Sequence, residues 1–384
     1  MSELYIDTIK TIKEKYRLEE KDMIKPFITT WNCNVFNSRC AKWSVQMPSK
    51  SMLMNPKFKV NLSLRVLVNA REDCPDTLSK YIGDEIKVRP YPISNITDAL
   101  YITLNNQHFT SQPIKNVKIL KNTDQSFHSE FITKTDDKRC WCFDVTLTES
   151  FDVLQELFNE GPQQVIPNMR SLIVNLRFSD NISNVFYIDN FNGSLDHDDV
   201  TDKCRLPLLK DINVALTNAT LMLDCYMLAP DCETVFPYVK KFKDHNIFES
   251  STDKLLLPGE TVEFTGPTLV FSNKPSNIIL FVNDKSLHKW KSVVLSQKNI
   301  KIDSFYCYIG NSGIPLTCND TEIQNNAVEL KPLMDNFTND LLYFHANVKC
   351  TNTNNYPINP TIYIYYEYES ECHIHKDGNV EILS

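Results

Sequence analysis

The chain has 384 residues, which is too long for one ordinary hydrophobic core and predicts two domains of roughly 150–200 residues each. Hydrophobic residues make up 42% of it and charged residues 23%, a balance typical of globular proteins that argues against disorder. The net charge of −8 argues against tight, sequence-independent binding of nucleic acid.

The N-terminus and the cysteines predict the compartment of the protein. No stretch approaches the roughly 18 apolar residues of a membrane-spanning helix, so the sequence predicts no transmembrane segment. Residues 1–10 are charged and lack the apolar stretch of a signal peptide, so we expect a reducing compartment. The 12 cysteines lack the paired spacing of a zinc-binding fold, and we expect free, mostly buried thiols rather than disulfides.

Residues 1–40 are interpreted as an N-terminal arm that begins with a short amphipathic helix. Ile6, Ile9 and Ile12 recur there at helical spacing. Two interpretations remain open, namely a helix that packs on its own domain and an arm that reaches a neighbouring subunit. Because the acidic and basic residues of the helix balance, the arm lacks the basic character that binding to a genome requires.

A first domain, residues 41–230, is predicted to consist mainly of strands. Alternation of apolar and polar residues, with period two, predicts strands at residues 62–68, 99–104, 141–147, 172–178, 185–188 and 214–226.

One helix is predicted to interrupt these strands after residue 150. Ser150 is a suitable N-cap for it. Phe151, Leu154 and Phe158 share one of its faces, and the Gly-Pro pair after residue 160 ends it.

The next segment, residues 231–260, carries few strand signals and is interpreted as a linker. A second domain, residues 261–384, follows it. Strands are predicted in this domain at residues 261–264, 277–282 and 304–309.

Two alternating runs near the C-terminus, residues 342–350 and 361–368, predict a half-buried antiparallel hairpin. The apolar face of the first run consists of Leu342, Phe344, Ala346 and Val348. In the second run, Tyr363 and Tyr365 are candidate exposed aromatics at an interface, although packing within the protein is an open alternative.

The two halves of the chain are similar in pattern. Residues 101–106 form a predicted strand that ends in a polar turn, and residues 306–311 repeat that arrangement. Each half also closes with a pair of strands. This is the pattern expected of two copies of one β-sandwich topology, in which the closing strands correspond to those around residues 214–226.

Few residue clusters suggest chemistry. The Asp-His-Asp-Asp run at 196–199 could hold a hard cation, but a solvated loop is the better explanation because the Asp-x-Asp-x-Asp-Gly frame is missing. In Cys-His-Ile-His at 372–375, the two histidines would project to one side of a strand as zinc ligands, with no second pair to complete the site. The two thiols of Cys-Trp-Cys at 140–142 would share a strand face, which fits core packing.

No catalytic motif is present. The sequence lacks Gly-x-Ser-x-Gly, a Walker loop, Gly-x-Gly-x-x-Gly and His-Glu-x-x-His, and its 8 glycines leave little material for a phosphate-binding loop. We therefore expect no enzyme activity, no cofactor and no catalytic or metal site.

Short segments distributed over residues 43–368 carry a family resemblance through their order and spacing. They are Trp-x-x-x-x-Pro-Ser at 43–49, the Pro-Ile-Ser segment and Asn-Asn turn at 91–106, and segments 275–282, 303–313 and 359–364. Together they resemble the double jelly-roll major capsid proteins of adenovirus-like and Polinton-like viruses.

The resemblance implies an all-β fold of two eight-stranded jelly rolls in tandem, with a short N-terminal helix and few other helices. It implies trimers that present six rolls to a hexagonal lattice, with neighbouring capsomers and minor capsid or penton proteins as further partners. Because the chain is short for this family, outward projections should be small.

The leading hypothesis is therefore a non-enzymatic major capsid protein that self-associates into pseudo-hexameric trimers of an icosahedral shell. It would reside in the virion after assembly in the host cytoplasm or nucleus, without sequence-specific contact to nucleic acid. A lectin-like, carbohydrate-binding pair of jelly rolls is the alternative, although four tryptophans are few for stacking on sugars. A cupin-type enzyme ranks last because the eight histidines are dispersed.

Overall fold

The structure is a computed structural model that describes residues 27–47, 52–70, 86–89, 91–111, 127–137, 140–154, 165–180, 182–188, 209–227, 238–251, 255–266, 268–284, 294–295, 300–309, 315–317, 323–324, 327–330, 342–353, 357–375 and 377–383. The predicted N-terminal helix and the 196–199 run lie outside the described residues.

Strands dominate the described part of the chain. Up to residue 227 the elements are β1 (Phe27–Asn32), β2 (Val35–Phe36), β3 (Cys40–Gln46), β4 (Met52–Ala70), β5 (Ile86–Val88), α1 (Pro92–Asn95), β6 (Thr97–Leu104), β7 (Gln107–Ser111), β8 (Phe127–Asp137), β9 (Cys140–Asp152), β10 (Ser171–Phe178), a 3₁₀ helix (Ile182–Val185), β11 (Phe186–Ile188) and β12 (Leu209–Met227).

Beyond residue 237 only strands are described. They are β13 (Tyr238–Ser251), β14 (Thr261–Thr265), β15 (Leu269–Phe271), β16 (Asn277–Asp284), β17 (Val294–Leu295), β18 (Ile300–Ile309), β19 (Pro315–Thr317), β20 (Ile323–Gln324), β21 (Ala327–Glu329), β22 (Leu342–Asn352), β23 (Pro360–Ile374) and β24 (Val380–Leu383). The prediction of an all-β protein is confirmed.

Four of the sheets form two sandwiches. In the first sandwich, sheet A has the order β1-β12-β4-β9-β8 and sheet B the order β2-β3-β10-β6-β7. In the second, sheet C has the order β13-β23-β16-β21-β20 with β24 beside β23, and sheet D has β14-β22-β18-β19 with β15 beside β22. The paired strands within these four sheets run antiparallel.

The two sandwiches share one topology. Along the chain, successive strands or hairpins alternate between A and B in the first sandwich and between C and D in the second, which is jelly-roll connectivity. Taking the strands in order, β1, β12, β4 and β9 of sheet A correspond to β13, β23, β16 and β21 of sheet C. Likewise β3, β10, β6 and β7 correspond to β14, β22, β18 and β19. The repeat inferred from residues 101–106 and 306–311 therefore joins equivalent strands, β6 and β18.

Period-two alternation builds the core between the sheets. Phe344, Ala346 and Val348 of β22 are each fully buried, as their spacing predicts. In sheet A the same alternation places Val60, Leu62 and Leu64 of β4 inside, and residues of both sandwiches join one continuous apolar cluster. Trp43, the first residue of the Trp-x-x-x-x-Pro-Ser segment, is fully buried in it.

A small third sheet connects the two halves of the chain. Its order is β17-β11-β5, and β17 from the second half runs parallel to β11 from the first, with Tyr187 opposite Val294. The sandwiches are therefore joined by backbone pairing as well as by the chain.

Three local predictions are wrong in part. The linker prediction fails at β13, a 14-residue strand that forms the edge of sheet C. Its charged residues hid the strand signal, because an edge strand needs few apolar positions. The C-terminal runs are strands but not a hairpin, because β22 lies in sheet D and β23 in sheet C. The arm prediction fails for β1 and β2, which belong to the first sandwich.

The predicted helix after Ser150 is also wrong in its first turn. Ser150 and Phe151 continue β9, where Phe151 pairs with Phe58 of β4 and stacks on it with ring centroids 5.8 Å apart. Cross-strand packing therefore outweighs the local N-cap signal. The remainder of that helix, residues 155–164, lies outside the described residues.

A helical turn occurs at the Pro-Ile-Ser segment, just before the strand that the sequence predicts at residues 99–104. In α1, Pro92 begins the helix, where its missing N–H costs nothing. The buried carboxylate of Glu149 accepts hydrogen bonds from the backbone N–H groups of Ile93 and Ser94, both at 2.9 Å, and from the Ser94 hydroxyl. Glu149 thus satisfies amides that a helix start leaves free, a contact between distant residues that local pattern cannot predict.

Adjacent residues of β22 test the assignment of its two faces. We expect Phe344→Ala to lower the free energy of unfolding by about 3–5 kcal/mol, because it leaves a cavity between sheets C and D. Tyr343→Ala, on the outward face, should cost less than about 1 kcal/mol. Urea unfolding at one protein concentration measures both, and equal losses would contradict the assignment of faces.

Candidate functional site

The outward face of sheet D carries three exposed tyrosines together with an exposed valine and a half-buried histidine, a cluster here called the tyrosine face. It consists of Val270, Tyr306, Tyr308, Tyr343 and His345. These residues alternate with the core residues of β22 and β18, so period two places them on the solvent side. The three tyrosines are 36–41% exposed and Val270 is 57% exposed.

Cross-strand register brings these side chains together. Tyr308 lies opposite His345, with ring centroids 6.1 Å apart, and Val270 lies opposite Tyr343. Exposed aromatic rings that adjoin one another are typical of protein–protein contact surfaces.

The equivalent face of the first sandwich repeats part of this arrangement, namely one tyrosine opposite one asparagine. Tyr101 of β6 lies opposite Asn175 of β10, and Tyr306 of β18 lies opposite Asn347 of β22. Among the described residues, the buried Oδ1 atoms of both asparagines have no hydrogen-bond partner. Equivalent strands therefore present the same tyrosine–asparagine pair outward.

Of the two alternatives left open for Tyr363 and Tyr365, exposure at an interface or packing within the protein, the structure shows packing. Tyr365 is only 1% exposed. Tyr363 is half-buried and stacks on Phe281 with centroids 4.9 Å apart and an interplanar angle of 9°. Both residues lie on the face of sheet C opposite to its core residue Ile364, and burial of that second face cannot be inferred from alternation alone.

A buried polar cluster lies on the same face of sheet C. The Tyr365 hydroxyl donates to Oε1 of Glu367 at 2.8 Å, and Lys243 Nζ lies 3.4 Å from Glu367 Oε2. His245, opposite Glu367 on β13, is 7% exposed, with its ring centroid 5.5 Å from that of Tyr365. Burial lowers the pKa of His245 to about 4 and raises the pKa of Tyr365, so both rings are neutral at neutral pH.

The two sandwiches meet at an inter-sandwich junction, formed by Asn105, Asn106, Asn168, Arg170, Ser171, Gly378 and Val380. Asn105 and Asn106 are the two-residue turn between β6 and β7 that the sequence marked as an Asn-Asn turn. Gly378 and Val380 come from the C-terminal segment of the second sandwich.

One amide side chain makes four contacts at this junction. Asn105 Oδ1 accepts from the backbone N–H groups of Arg170 (2.7 Å) and Ser171 (3.1 Å). Its Nδ2 donates to the carbonyl oxygens of Asn168 (3.2 Å) and Gly378 (2.5 Å). Since an asparagine amide offers two donors and two acceptor lone pairs, its hydrogen-bonding capacity is filled.

Backbone conformation at the junction requires particular residues. Asn105 and Asn168 have φ of 53° and 55°, the left-handed region that asparagine tolerates best after glycine. Gly378 has φ of 80°, and a Cβ there would lie 2.9 Å from Arg170 Nε. Asn106 adds a second bridge, since its Oδ1 accepts from the Val380 N–H at 3.1 Å.

In the described part of the chain, the Cys-His-Ile-His and Cys-Trp-Cys clusters do not combine into one binding site. His373 lies 3.1 Å from Glu371 and His375 lies 3.4 Å from Glu381, while Cys372 is buried on the opposite face. Cys142 is half-buried beside core residue Phe143 but on the other face of β9, so the core prediction for it is wrong. In the part of the chain that the structure describes, no group of three or more metal-binding side chains occurs.

The expected state of the cysteines is largely confirmed. Within the described ranges, seven cysteines are free thiols, and Cys225, Cys307, Cys350 and Cys372 are buried. Burial raises the pKa of Cys350 and of Cys372 to about 12, so both remain protonated. No helix of the described segments is long and apolar enough to cross a membrane.

Comparison with solved structures identifies the architecture. No family model and no curated protein matches the sequence. A chain from the cryo-EM structure of the Sputnik virophage superposes with a TM-score of 0.74 at 12% identity, over 95% of this chain and 89% of that one. The mavirus major capsid protein superposes with a TM-score of 0.68 at 10% identity, over 92% and 89%. PBCV-1 VP54 superposes with a TM-score of 0.50 at 10% identity, over 95% of this chain and 98% of VP54.

The chain has the double jelly-roll fold. The fold expected from the family resemblance is therefore confirmed. In this double jelly roll the Asn-Asn turn of the first sandwich is the residue pair that bonds to the second sandwich. The sequence located the turn, but nothing local to it indicated Gly378 as its partner, 273 positions away.

Replacing Asn105 tests the junction. We expect Asn105→Gly, which keeps the left-handed backbone accessible, to lower the free energy of unfolding by on the order of 2 kcal/mol through loss of four hydrogen bonds. Amide hydrogen exchange should accelerate at Arg170 and Ser171, which lose their acceptor, and at Gly378, whose N–H donates to His375 within the turn that the bridge restrains.

The matched control is Asn37→Gly. Asn37 Oδ1 accepts from the N–H groups of Arg39 and Cys40 within one turn of the first sandwich. This variant should leave exchange at Gly378 unchanged. Unchanged exchange there in Asn105→Gly as well would contradict the bridging role.

His245 predicts an acid-dependent loss of stability. Because its folded pKa is about 4 and its ordinary value is 6.5, the unfolded chain binds a proton that the folded chain does not between these values. Stability contributed by the neutral ring is therefore lost as pH falls from 6.5, reaching about 3 kcal/mol at pH 4.

Urea unfolding of His245→Gln at neutral pH and near pH 4 measures this contribution. The variant should lose about 3 kcal/mol less than the unmodified protein over that interval. His108→Gln on the exposed β7 serves as control and should follow the unmodified protein. Equal losses for His245→Gln and the unmodified protein would exclude the buried neutral histidine as the cause.

Proposed function

We propose that this protein is a structural subunit of a viral capsid that self-associates into pseudo-hexameric trimers. The single observation that supports this most is the repeat of strand order between the two sandwiches, β1-β12-β4-β9-β8 in one and β13-β23-β16-β21-β20 in the other. Three copies of such a chain supply six similar units, which is the number that a hexagonal lattice position requires.

The outward faces support self-association. Sheets B and D present the same tyrosine–asparagine pair, so neighbouring units around a ring would offer similar surfaces. The tyrosine face of sheet D adds Tyr308, Tyr343 and Val270, and we assign it to contact with a second copy of the chain. Large aromatic side chains dominate the energy of such contacts when they are buried.

The proposed role is structural, within the virion, after assembly in the host cytoplasm or nucleus. Neighbouring capsomers and minor capsid or penton proteins are the proposed partners. The fold shared with the mavirus major capsid protein supports the role, and the net charge of −8 supports a shell that has little direct contact with nucleic acid.

The oligomeric state tests the proposal. We expect light scattering after size exclusion to give three times the monomer mass of 44.5 kDa, and negative-stain images to show pseudo-hexagonal particles. A monomer at every salt and protein concentration would overturn the proposal.

A double variant tests the assigned surface. Tyr306→Ser with Tyr308→Ser should raise the concentration at which oligomers dissociate by at least about tenfold, because the rings would no longer be buried at the contact. Lys349→Ser, on the same face of β22, is the control and should assemble normally. If the double variant assembles like the unmodified protein, another surface carries the contact.

A further inference from the structure

The second sandwich has a groove that the capsid proposal does not use. It lies beside edge strand β13, has a volume of about 820 Å³, and is lined by β13, β23 and residues 272–276 before β16. A volume of this size is within the range of small-molecule binding sites.

The wall of the groove interrupts a pattern. Along β13, alternate residues face the core side of sheet C, beginning with Tyr238, Lys240 and Phe242, which are all buried. The next two such positions are Asp244 and Asn246, which are polar and exposed, and an apolar residue follows only at Phe248. Both polar residues line the groove.

Register places aromatic rings opposite this polar wall. Asp244 pairs with Tyr368 and Asn246 with Tyr366, so the four side chains form a grid on one sheet face. The two tyrosine rings meet edge to face, with centroids 5.8 Å apart. The Tyr366 ring also packs on Phe271 of the opposite sheet, with ring centroids 4.9 Å apart. This packing fixes the ring between the two sheets.

A buried hydroxyl also reaches the groove. Ser370, which is 3% exposed, lines it, and among the described residues its Oγ has no hydrogen-bond partner. Burial of an unpaired hydroxyl is costly, which favours a ligand that supplies the partner.

The groove contains groups of balanced charge and of mixed hydrogen-bonding type. Two lysines, Lys243 and Lys274, and two carboxylates, Asp244 and Glu369, line the groove, and Lys243 also lies 3.4 Å from Glu367. No cluster of one sign therefore favours a strongly charged ligand. Serine hydroxyls and asparagine amides both donate and accept. Burial raises the pKa of Tyr368 to about 12, so its hydroxyl keeps its proton at neutral pH.

We propose that this groove binds a neutral saccharide. Sugar hydroxyls, like the amide and hydroxyl groups of the wall, both donate and accept hydrogen bonds. The apolar face of a sugar ring would pack on Tyr366 or Tyr368, as aromatic rings commonly do in ligand sites. The protein would then carry a glycan-binding function in addition to any role in a shell.

Binding of the full-length protein to an array of immobilised neutral, sialylated and sulfated oligosaccharides tests this inference. We expect binding to at least one neutral glycan. The strongest one is then titrated by calorimetry against Asn246→Ala and Tyr368→Ala, each of which should weaken binding by at least about tenfold. Asn213→Ala, at an exposed asparagine of β12 in the first sandwich, is the control and should bind normally.

Three results would overturn the inference. They are no binding on the array, binding to charged glycans only, and unchanged affinity in both groove variants. If the variants bind glycan normally but aggregate through β13, the role of the polar wall is to protect the sheet edge from pairing with another chain. Measuring oligomer mass on the same samples separates this inference from the capsid proposal, because either can fail alone.

Discussion

The hydrogen bonds of Asn105, together with the third sheet and the continuous apolar cluster, set the relation between the two sandwiches, and the other surfaces of the molecule depend on that relation. The side chain contacts three backbone groups of its own sandwich and one carbonyl of the other. Aspartate would lose both donors, and a longer amide would displace the oxygen from Arg170 and Ser171. The left-handed backbone at residue 105 restricts the choice further. Geometry and hydrogen bonding therefore select the same residue.

Alternation predicted the faces of strands well and their partners poorly. In β22 it correctly identified Phe344, Ala346 and Val348 as core residues, because a strand with one buried face has a strict period of two. It could not say that β23, only a few residues later, joins the opposite sheet. Period two carries no information about which strand lies alongside. Only the similarity between residues 101–106 and 306–311 contained topological information, because equivalent strands in a duplicated fold keep similar patterns.

Two local structures that the sequence did not reveal share one physical cause. Ser150 and Phe151 had the composition of a helix start, yet the contact of Phe151 with Phe58 keeps them in β9. Residues 92–95 form a helical turn because Glu149, distant in sequence, accepts their N–H groups. In both places a long-range partner outweighs a local preference, and one sequence without its contacts does not reveal such partners. The junction and the groove belong to the same class, since each combines residues from well-separated strands.

The duplicated topology also explains why the two outward faces differ in chemistry. The pair Tyr101–Asn175 in sheet B matches the pair Tyr306–Asn347 in sheet D. Two residues further along, sheet B has Thr103 opposite Ile173, whereas sheet D has Tyr308 opposite His345. Equivalent strands with partly different side chains let one chain offer two related surfaces. In a pseudo-hexameric ring, this difference would fix the order in which copies meet, because a contact suited to sheet D would be weaker on sheet B. Two fused sandwiches can thereby specify an alternating ring that six identical sandwiches could not.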